Sequence, residues 1–272
     1  MPPPAIAAVA ALVGLTFGSF LNVCITRLPR GESIVHPRSR CPQCKASIGA
    51  LDNIPMLSWL LLAGRCRHCR QRISVQYPLV ELATSAWFAA CVLLFPDWLA
   101  ALNMAALGFL LIGLLVMDWQ TQLLPDAFTI GGVGMGLMFC FIRATLLPID
   151  RGTFFLTSPE RMMLLRLLSV MMSFLLLFAV RWTYRVVRHR EGLGLGDAKM
   201  LAMIAAFLGL HLALLALFLG VLAGALYAVS LVVLRRATSA TRLPFGSFLA
   251  IGGFIATLAG PSLLHWYLAL FR

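Results

Sequence analysis

The sequence is short of charge, and above all of acidic residues. Only 10 of its 272 residues are Asp or Glu, charged residues make up 12% of the chain, and hydrophobic residues make up 61%. Apolar runs of about 18 residues or more, the length that crosses a bilayer as a helix, recur along most of the chain. A soluble globular protein does not carry this many. The composition therefore predicts an all-α polytopic membrane protein.

Several signatures of other protein classes are also missing. The five histidines are scattered, so no Ser/His or Cys/His constellation for nucleophilic catalysis is visible. No glycine-rich strand–turn–helix signature for a cofactor is present. No internal repeat is found, although many transporters are built from repeated halves. The few acids near the ends of the apolar runs are left as the candidates for chemistry.

The apolar pattern predicts eight transmembrane helices. The run 200–234 is too long for one span and short for two, but basic clusters on both sides of it place its two ends on one face of the membrane. We therefore expect two short spans with a turn near Gly209–His211. The predicted spans are 5–26, 78–95, 98–117, 126–145, 162–181, 198–210, 212–234 and 246–270.

The basic residues predict the orientation. The loops 27–77, 118–126, 181–199 and 235–242 hold 17 of the 22 lysines and arginines. Loops rich in Lys and Arg stay in the cytoplasm, so we expect the N-terminus outside and segment 27–77 inside. Basic residues clustered in loops fit contacts with anionic lipid and argue against a nucleic-acid interface. The N-terminal run lacks a basic n-region and a cleavage site, which indicates a retained first span. The predicted domains are a first transmembrane helix (1–26), a cytoplasmic cysteine domain (27–77) and a multi-span core (78–272).

Two cysteine pairs, "CPQC" and "CRHC", lie in the predicted cysteine domain between the first and second spans. They are separated by 21 residues, just beyond the usual range for a four-cysteine zinc site. Two disulfides are disfavoured in a cytoplasmic loop, and two symmetric pairs fit a metal better than one redox motif. His68, inside the second pair, is interpreted as a bystander. The predicted structural zinc ligands are Cys41, Cys44, Cys66 and Cys69.

Two aspartates are predicted to work as a pair. Asp126, which follows a proline, is interpreted as a helix cap. Asp118 lies at the end of a span, where an acid opposes the helix dipole, so its position needs another cause. Asp118 and Asp197 both fall at cytoplasmic ends of spans and share a depth. Two carboxylates at one depth can share a proton, so one acts as general base and the other as general acid on a water molecule.

Other polar and flexible residues near the same face are candidates for binding. In "GLGLGDAKM", Gly194 and Gly196 precede Asp197 and leave room for the backbone of a substrate. Glu81, Asn22 and Arg27 are candidates for contact with a substrate or cofactor. Helix packing and contact with lipid headgroups are alternative roles for these three side chains.

The sequence resembles the type IV prepilin peptidases of pilus and type II secretion systems, which are bifunctional leader peptidase/N-methyltransferases. The segments that carry the resemblance cover nearly the whole chain, in order: "GSFLNVCITRLPR", the two cysteine pairs enclosing "DNIPMLSWLLLAGRC", "YPLVELAT", "DWQTQLLPD", the G-x-G-D motif "GLGD", and "LPFGSFLAIGG". The chain departs from the pattern at Gln120, where many members carry an acid, and in a longer segment, 148–161.

The resemblance implies an aspartyl peptidase with Asp118 and Asp197 as its catalytic pair. It implies cleavage after glycine of the short basic leader of a prepilin or pseudopilin, at the cytoplasmic face of the bacterial inner membrane. It also implies methylation of the new N-terminal residue with S-adenosylmethionine, an activity with which the cysteine domain is associated. The competing hypotheses are a proton- or cation-coupled transporter that uses the acidic pair and a non-enzymatic scaffold that recruits a partner through its zinc domain.

Overall fold

The computed structural model describes residues 4–41, 43–49, 51–95, 97–146, 159–189, 194–234 and 243–270. Across these residues the chain forms nine α-helices, two single-turn 3-10 helices and no strand, which confirms the predicted all-α fold. Gly192, most of the proposed insertion 148–161 and the basic cluster Arg235, Arg236 and Arg242 lie outside the described residues. The helices are α1 Pro4–Arg27, α2 Leu57–Leu61, α3 Gln76–Leu94, α4 Trp98–Thr121, α5 Asp126–Leu146, α6 Pro159–Arg188, α7 Leu195–Leu208, α8 Leu210–Val233 and α9 Phe245–Ala269.

Seven of these helices are long and apolar enough to cross a membrane, and the remaining predicted span, 198–210, corresponds to the shorter helix α7. With 14 residues, α7 is about 21 Å long, less than the roughly 30 Å of a bilayer core. The predicted division of the run 200–234 is confirmed, because α7 ends at Leu208 and α8 begins at Leu210. Gly209 separates them with a φ of 86°, a left-handed value that glycine adopts without strain.

The chain divides into two compact units, Met1–Gly113 and Leu114–Arg272. In the first unit, α1 and α3 pack against each other at very short range. A Cβ atom added at Gly18 would come within 2.6 Å of the Cα atom of Glu81, so only glycine fits there. Small residues allow this close approach of backbones in membrane proteins. The predicted domain boundaries at 26 and 77 stay predictions.

In the second unit, α7 is the buried helix. Its residues from Met200 to Phe207 are all buried, whereas only two residues of α6 and four of α8 are buried. A helix that is apolar on every side needs neighbours on every side, which α7 has. Its C-terminal end is stabilised from α6, because Arg166 Nη1 lies 3.4 Å from the carbonyl oxygen of Ala205. The short helix is thereby fixed at the centre of its unit.

Candidate functional site

Asp118 lies in the last turn of α4 and is only 4% exposed. Its Oδ2 atom accepts a hydrogen bond of 2.8 Å from the backbone N–H of Ser247, in the first turn of α9. The Ser247 hydroxyl lies 3.2 Å from the same oxygen and 2.9 Å from the carbonyl oxygen of Leu115. A helix N-terminus presents free N–H groups and a partial positive charge, which favour a carboxylate. This contact explains why an acid is stable at the C-terminal end of α4.

Asp197 lies in the first turn of α7 and is 7% exposed. Its Oδ2 atom accepts a hydrogen bond of 3.1 Å from the N–H of Gly194, so the acid caps its own helix. Asp118 is near enough for the charges of the two carboxyl groups to repel each other. Both carboxyl groups are therefore buried, close together and held at the N-termini of two different helices.

Two glycines let the three helix ends approach one another around Leu124, in the connection between α4 and α5. A Cβ atom added at Gly196 would lie 2.9 Å from Leu124 Cβ. A Cβ atom added at Gly246 would lie 3.0 Å from both Asp118 Cγ and Leu124 Cδ1. A side chain at Gly196 or Gly246 would therefore point into the protein. A Cβ atom added at Gly194 would lie 3.1 Å from Asp197 Oδ2. Contact of Gly194 and Gly196 with a substrate stays a prediction.

Replacing Gly246 by alanine is expected to displace the Asp118 carboxyl group. Alanine ordinarily favours a helix over glycine by up to about 1 kcal/mol, so the helix itself tolerates the change. The added methyl group has to push Asp118 or Leu124 aside, and a displacement of about 1 Å at a reacting group costs on the order of 100-fold in rate. We expect Gly246→Ala to lower the rate of peptide cleavage at least about tenfold while its Tm falls little.

Gly134 in α5 provides the matched control. A Cβ atom added there meets nothing within 4 Å. Gly134→Ala is therefore expected to leave both the cleavage rate and the Tm near those of the wild type. Equal losses of activity in the two variants would show that the contact between Gly246 and Asp118 does not matter.

Asp126, interpreted from the sequence as a cap, begins α5 and also forms an ion pair. Lys199 Nζ lies 2.6 Å from Asp126 Oδ1, which links α5 to α7 two residues beyond Asp197. The Asp126 side chain is 60% exposed, so solvent screens the pair and its contribution to stability is small.

The four predicted zinc ligands come together. The Sγ atoms of Cys41, Cys44, Cys66 and Cys69 all lie within 4.8 Å of one another, and His68 is not part of the cluster. The Sγ atoms of Cys41 and Cys69 are 3.8 Å apart. A tetrahedron with Zn–S bonds of about 2.3 Å has edges of about 3.8 Å, so these four thiols match a structural zinc site.

The two cysteine pairs lie in turns with the same hydrogen bonds. The N–H of Cys41 donates to Ala46 O and the N–H of Cys66 to Gln71 O, both at 2.9 Å. Backbone N–H groups, first that of Cys44, lower the pKa of the Cys41 thiol to about 7. The N–H of Cys69 is likewise the main cause of a lowered pKa at Cys66. The turns therefore favour the thiolate form, the one that binds metal, at Cys41 and Cys66. At Cys69 the N–H of Gln71 lowers the pKa, but burial and the neighbouring thiols outweigh it and raise that pKa to about 11.

The three further candidates lie at the same end of α1 and α3. The backbone N–H of Met56 donates to Glu81 Oε2 at 2.7 Å, and Asn22 Nδ2 donates to Tyr77 O at 3.0 Å. Arg27 is directed elsewhere, because its guanidinium donates to the carbonyl oxygens at 33 and 37, at 2.9 and 2.7 Å. Glu81 and Asn22 thus lie on the facing sides of the helix pair, one helical turn apart, whereas Arg27 orders the start of the cysteine domain.

Ser247 is the residue that sequence reasoning missed. It stands in "LPFGSF", a segment noted only for its resemblance, and it lies 129 positions from Asp118. A proline followed by Gly-Ser at the start of an apolar run indicates a helix N-terminus, whose free N–H groups attract an acid at the same depth. That signal was present in the sequence, but the contact between Ser247 and Asp118 could be identified only from the structure.

Two family models match the chain. The Bacterial Peptidase A24 N-terminal domain matches residues 12–95, and the Type IV leader peptidase family matches residues 104–229. The first match contains all four cysteines of the cluster together with Glu81 and Asn22. The second contains Asp118 and Asp197.

Curated proteins are similar over nearly the full length. A prepilin leader peptidase/N-methyltransferase of Aeromonas hydrophila is 37% identical, with 96% of this chain and 93% of that protein covered. A type 4 prepilin-like proteins leader peptide-processing enzyme of Escherichia coli O78:H11 is 36% identical, with 94% of each covered. A prepilin leader peptidase/N-methyltransferase of Pseudomonas aeruginosa is 33% identical, with 94% of this chain and 91% of that protein covered. No solved structure matches the chain.

Proposed function

Because this chain belongs to the type IV leader peptidase family, we propose that it is a bifunctional prepilin leader peptidase and N-methyltransferase. It cleaves the basic leader of a prepilin or pseudopilin after glycine, at the cytoplasmic face of the bacterial inner membrane. It then methylates the new N-terminal residue with S-adenosylmethionine. The observation that carries the peptidase half is the buried pair of carboxyl groups, Asp118 and Asp197, within electrostatic reach of each other.

The two aspartates act as one acid–base unit. Repulsion between two buried carboxylates disfavours the ionisation of both at once, so in this proposal the pair holds one proton. The ionised member takes a proton from a water molecule, and the resulting hydroxide attacks the carbonyl carbon of the scissile peptide bond. The protonated member gives its proton to the leaving amine nitrogen, and the C–N bond breaks.

The hydrogen bonds around the pair support a division of roles. Asp118 Oδ2 has the N–H of Ser247 at 2.8 Å and its hydroxyl at 3.2 Å, whereas Asp197 has one donor among the described residues, the N–H of Gly194. Donors stabilise a carboxylate, so Asp118 is the ionised base and Asp197 the acid in the first step. Gly194 and Gly196 border the acid, and the substrate backbone passes beside them in this proposal.

The methyltransferase half depends on the cysteine domain. Zinc held by Cys41, Cys44, Cys66 and Cys69 crosslinks a polar segment that has little hydrophobic core of its own. The methyl donor supplies the group that is transferred, and Glu81 and Asn22 lie beside the cysteine domain as binding residues. Membrane lipids surround the exposed apolar faces of helices such as α6 and α8.

The direct test is to incubate the purified full-length protein in detergent with a prepilin, with and without S-adenosylmethionine. Mass spectrometry then follows both products. We expect loss of the leader under both conditions, and a further gain of one methyl group (about 14 Da) on the mature chain only with the methyl donor. An intact prepilin under both conditions would contradict the proposed function.

A further inference from the structure

Glu81 is a buried acid with no cationic partner in the part of the chain that the structure describes. Its side chain lies within the apolar part of α3, and the residue is 7% exposed. It receives the N–H of Met56 at 2.7 Å, and the Ser19 hydroxyl lies nearby. Among the described residues no lysine or arginine pairs with it. A glutamine could accept the hydrogen bond from Met56 equally well. The hydrogen bond therefore explains why a side chain of this length with an oxygen acceptor is present, but not why it is an acid.

Asn22 presents an unsatisfied oxygen beside this acid. The residue is 2% exposed, and its Nδ2 atom donates to Gly18 O and Tyr77 O. Its Oδ1 atom is buried and has no hydrogen-bond donor in the part of the chain that the structure describes. A buried polar atom without a partner costs about 1–3 kcal/mol, which calls for an explanation.

The two groups lie on the facing sides of α1 and α3, one helical turn apart. Tyr77 and Glu81 are one helical turn apart on α3, and Gly18 and Asn22 are one turn apart on α1. Asn22 contacts Tyr77, and Gly18 lies against the backbone of Glu81. Both acceptors are therefore at the end of the helix pair next to the cysteine domain, within about two turns of the ends of their helices.

We infer that the facing sides of α1 and α3 form a binding site for a primary ammonium group, with the Glu81 carboxylate and Asn22 Oδ1 as its acceptors. A protonated amine has three donors and a positive charge. It would satisfy the orphaned amide oxygen and neutralise the buried carboxylate together, which neither water nor an anion can do.

The identity of the ammonium group, though not its binding, rests on the proposed function. An N-methyltransferase of peptides has two ligands that carry a primary amine: the N-terminal residue of the processed peptide, and the amino acid part of S-adenosylmethionine. The site fits both, and the two are distinguished by measuring each affinity separately. Basic side chains of the leader are a third source of positive charge. They are present during cleavage and are removed with the leader, before the methylation step.

The test uses the full-length protein and three variants. Glu81→Gln keeps an oxygen for Met56 and removes the charge, and Asn22→Ala removes the orphaned oxygen. Ser85→Ala is the matched control, since Ser85 is a buried polar residue one turn further along α3 that donates to Ala11 O. Equilibrium binding is measured with S-adenosylmethionine and with a short peptide beginning with phenylalanine. An N-acetylated form of that peptide serves as the comparison.

We expect Glu81→Gln to weaken binding of one of the two amines at least about tenfold, the scale of a lost charge-assisted hydrogen bond. Asn22→Ala lowers the affinity for the same amine by a smaller factor. Ser85→Ala changes neither of the two affinities by more than about twofold. If the peptide is the ligand, acetylation removes the difference between Glu81→Gln and the wild type. Prepilin cleavage by Ser85→Ala stays within about twofold of the wild-type rate.

Unchanged affinities for both amines in Glu81→Gln and Asn22→Ala would overturn the inference. So would an effect confined to cleavage, or an equal loss in Ser85→Ala, which would indicate a general disturbance of packing. Failure of the proposed function looks different, because the wild type would then neither cleave nor methylate a prepilin.

Discussion

Replacing either Asp118 or Asp197 by asparagine lowers the rate of prepilin cleavage by about a thousandfold or more. General acid–base catalysis by one positioned group contributes roughly 10²- to 10⁴-fold, and an amide can neither take nor give the proton. Asparagine retains an oxygen that can accept the hydrogen bond of Ser247 in one case and of Gly194 in the other. The helix ends therefore keep their contacts, and both variants are expected to unfold near the temperature of the wild type.

The matched control is Asp126→Asn. Asp126 is, like Asp197, an aspartate in the first turn of a helix, yet its partner is Lys199 and its side chain is 60% exposed. Because an exposed ion pair contributes little, this variant should cleave within a few-fold of the wild type. Cleavage is measured with purified protein in detergent, and the Tm shows that each variant is folded. Full activity in Asp118→Asn or Asp197→Asn would exclude the pair as the peptidase centre.

Replacing Cys41 by serine lowers the affinity for zinc by about 100-fold or more and lowers methylation more than cleavage. A zinc ion held by four thiolates loses one of its bonds, and loss even of an outer hydrogen bond costs roughly 10- to 100-fold in affinity. Cys41 lies in the unit formed by Met1–Gly113, whereas both aspartates lie in Leu114–Arg272. Damage to the zinc site is therefore expected to spare the peptidase pair.

Zinc content by metal analysis, methylation of a pre-cleaved peptide and cleavage of a prepilin test this expectation together. Cys140→Ala is the control, because Cys140 is a buried thiol in α5, outside the cluster. Removal of zinc from the wild type by a chelator should reproduce the effect of Cys41→Ser. Zinc retained equally in Cys41→Ser and in the wild type would rule out the four-thiolate site.

Much of the fold follows from the pattern of apolar runs and basic loops. The bounds of the long helices lie within a few residues of the predicted spans, except that α6 continues to Arg188. The break at Gly209 was predicted from charge, since basic residues on both sides of the run required an even number of crossings. The burial of α7 is also consistent with its sequence, which has no continuous polar face.

The contacts between distant segments could not be predicted from the sequence. Nothing local to Asp118 shows that the first turn of α9 meets it, or that Leu124 lies between Gly196 and Gly246. The same holds for Glu81, whose partner at Met56 belongs to the segment between the two cysteine pairs. Sequence patterns give the depth and the face of a residue, but its partners depend on how the helices pack.

The central claim is that Asp118 and Asp197 form one catalytic unit, and the double variant Asp118→Asn/Asp197→Asn tests it most directly. Residues that act as a unit are strongly non-additive, so removing the second after the first costs little more. The account predicts that the double variant cleaves a prepilin at about the residual rate of either single variant. A rate for the double variant that equals the product of the two single losses, with all three proteins folded, would show that the two aspartates act independently and would contradict the account.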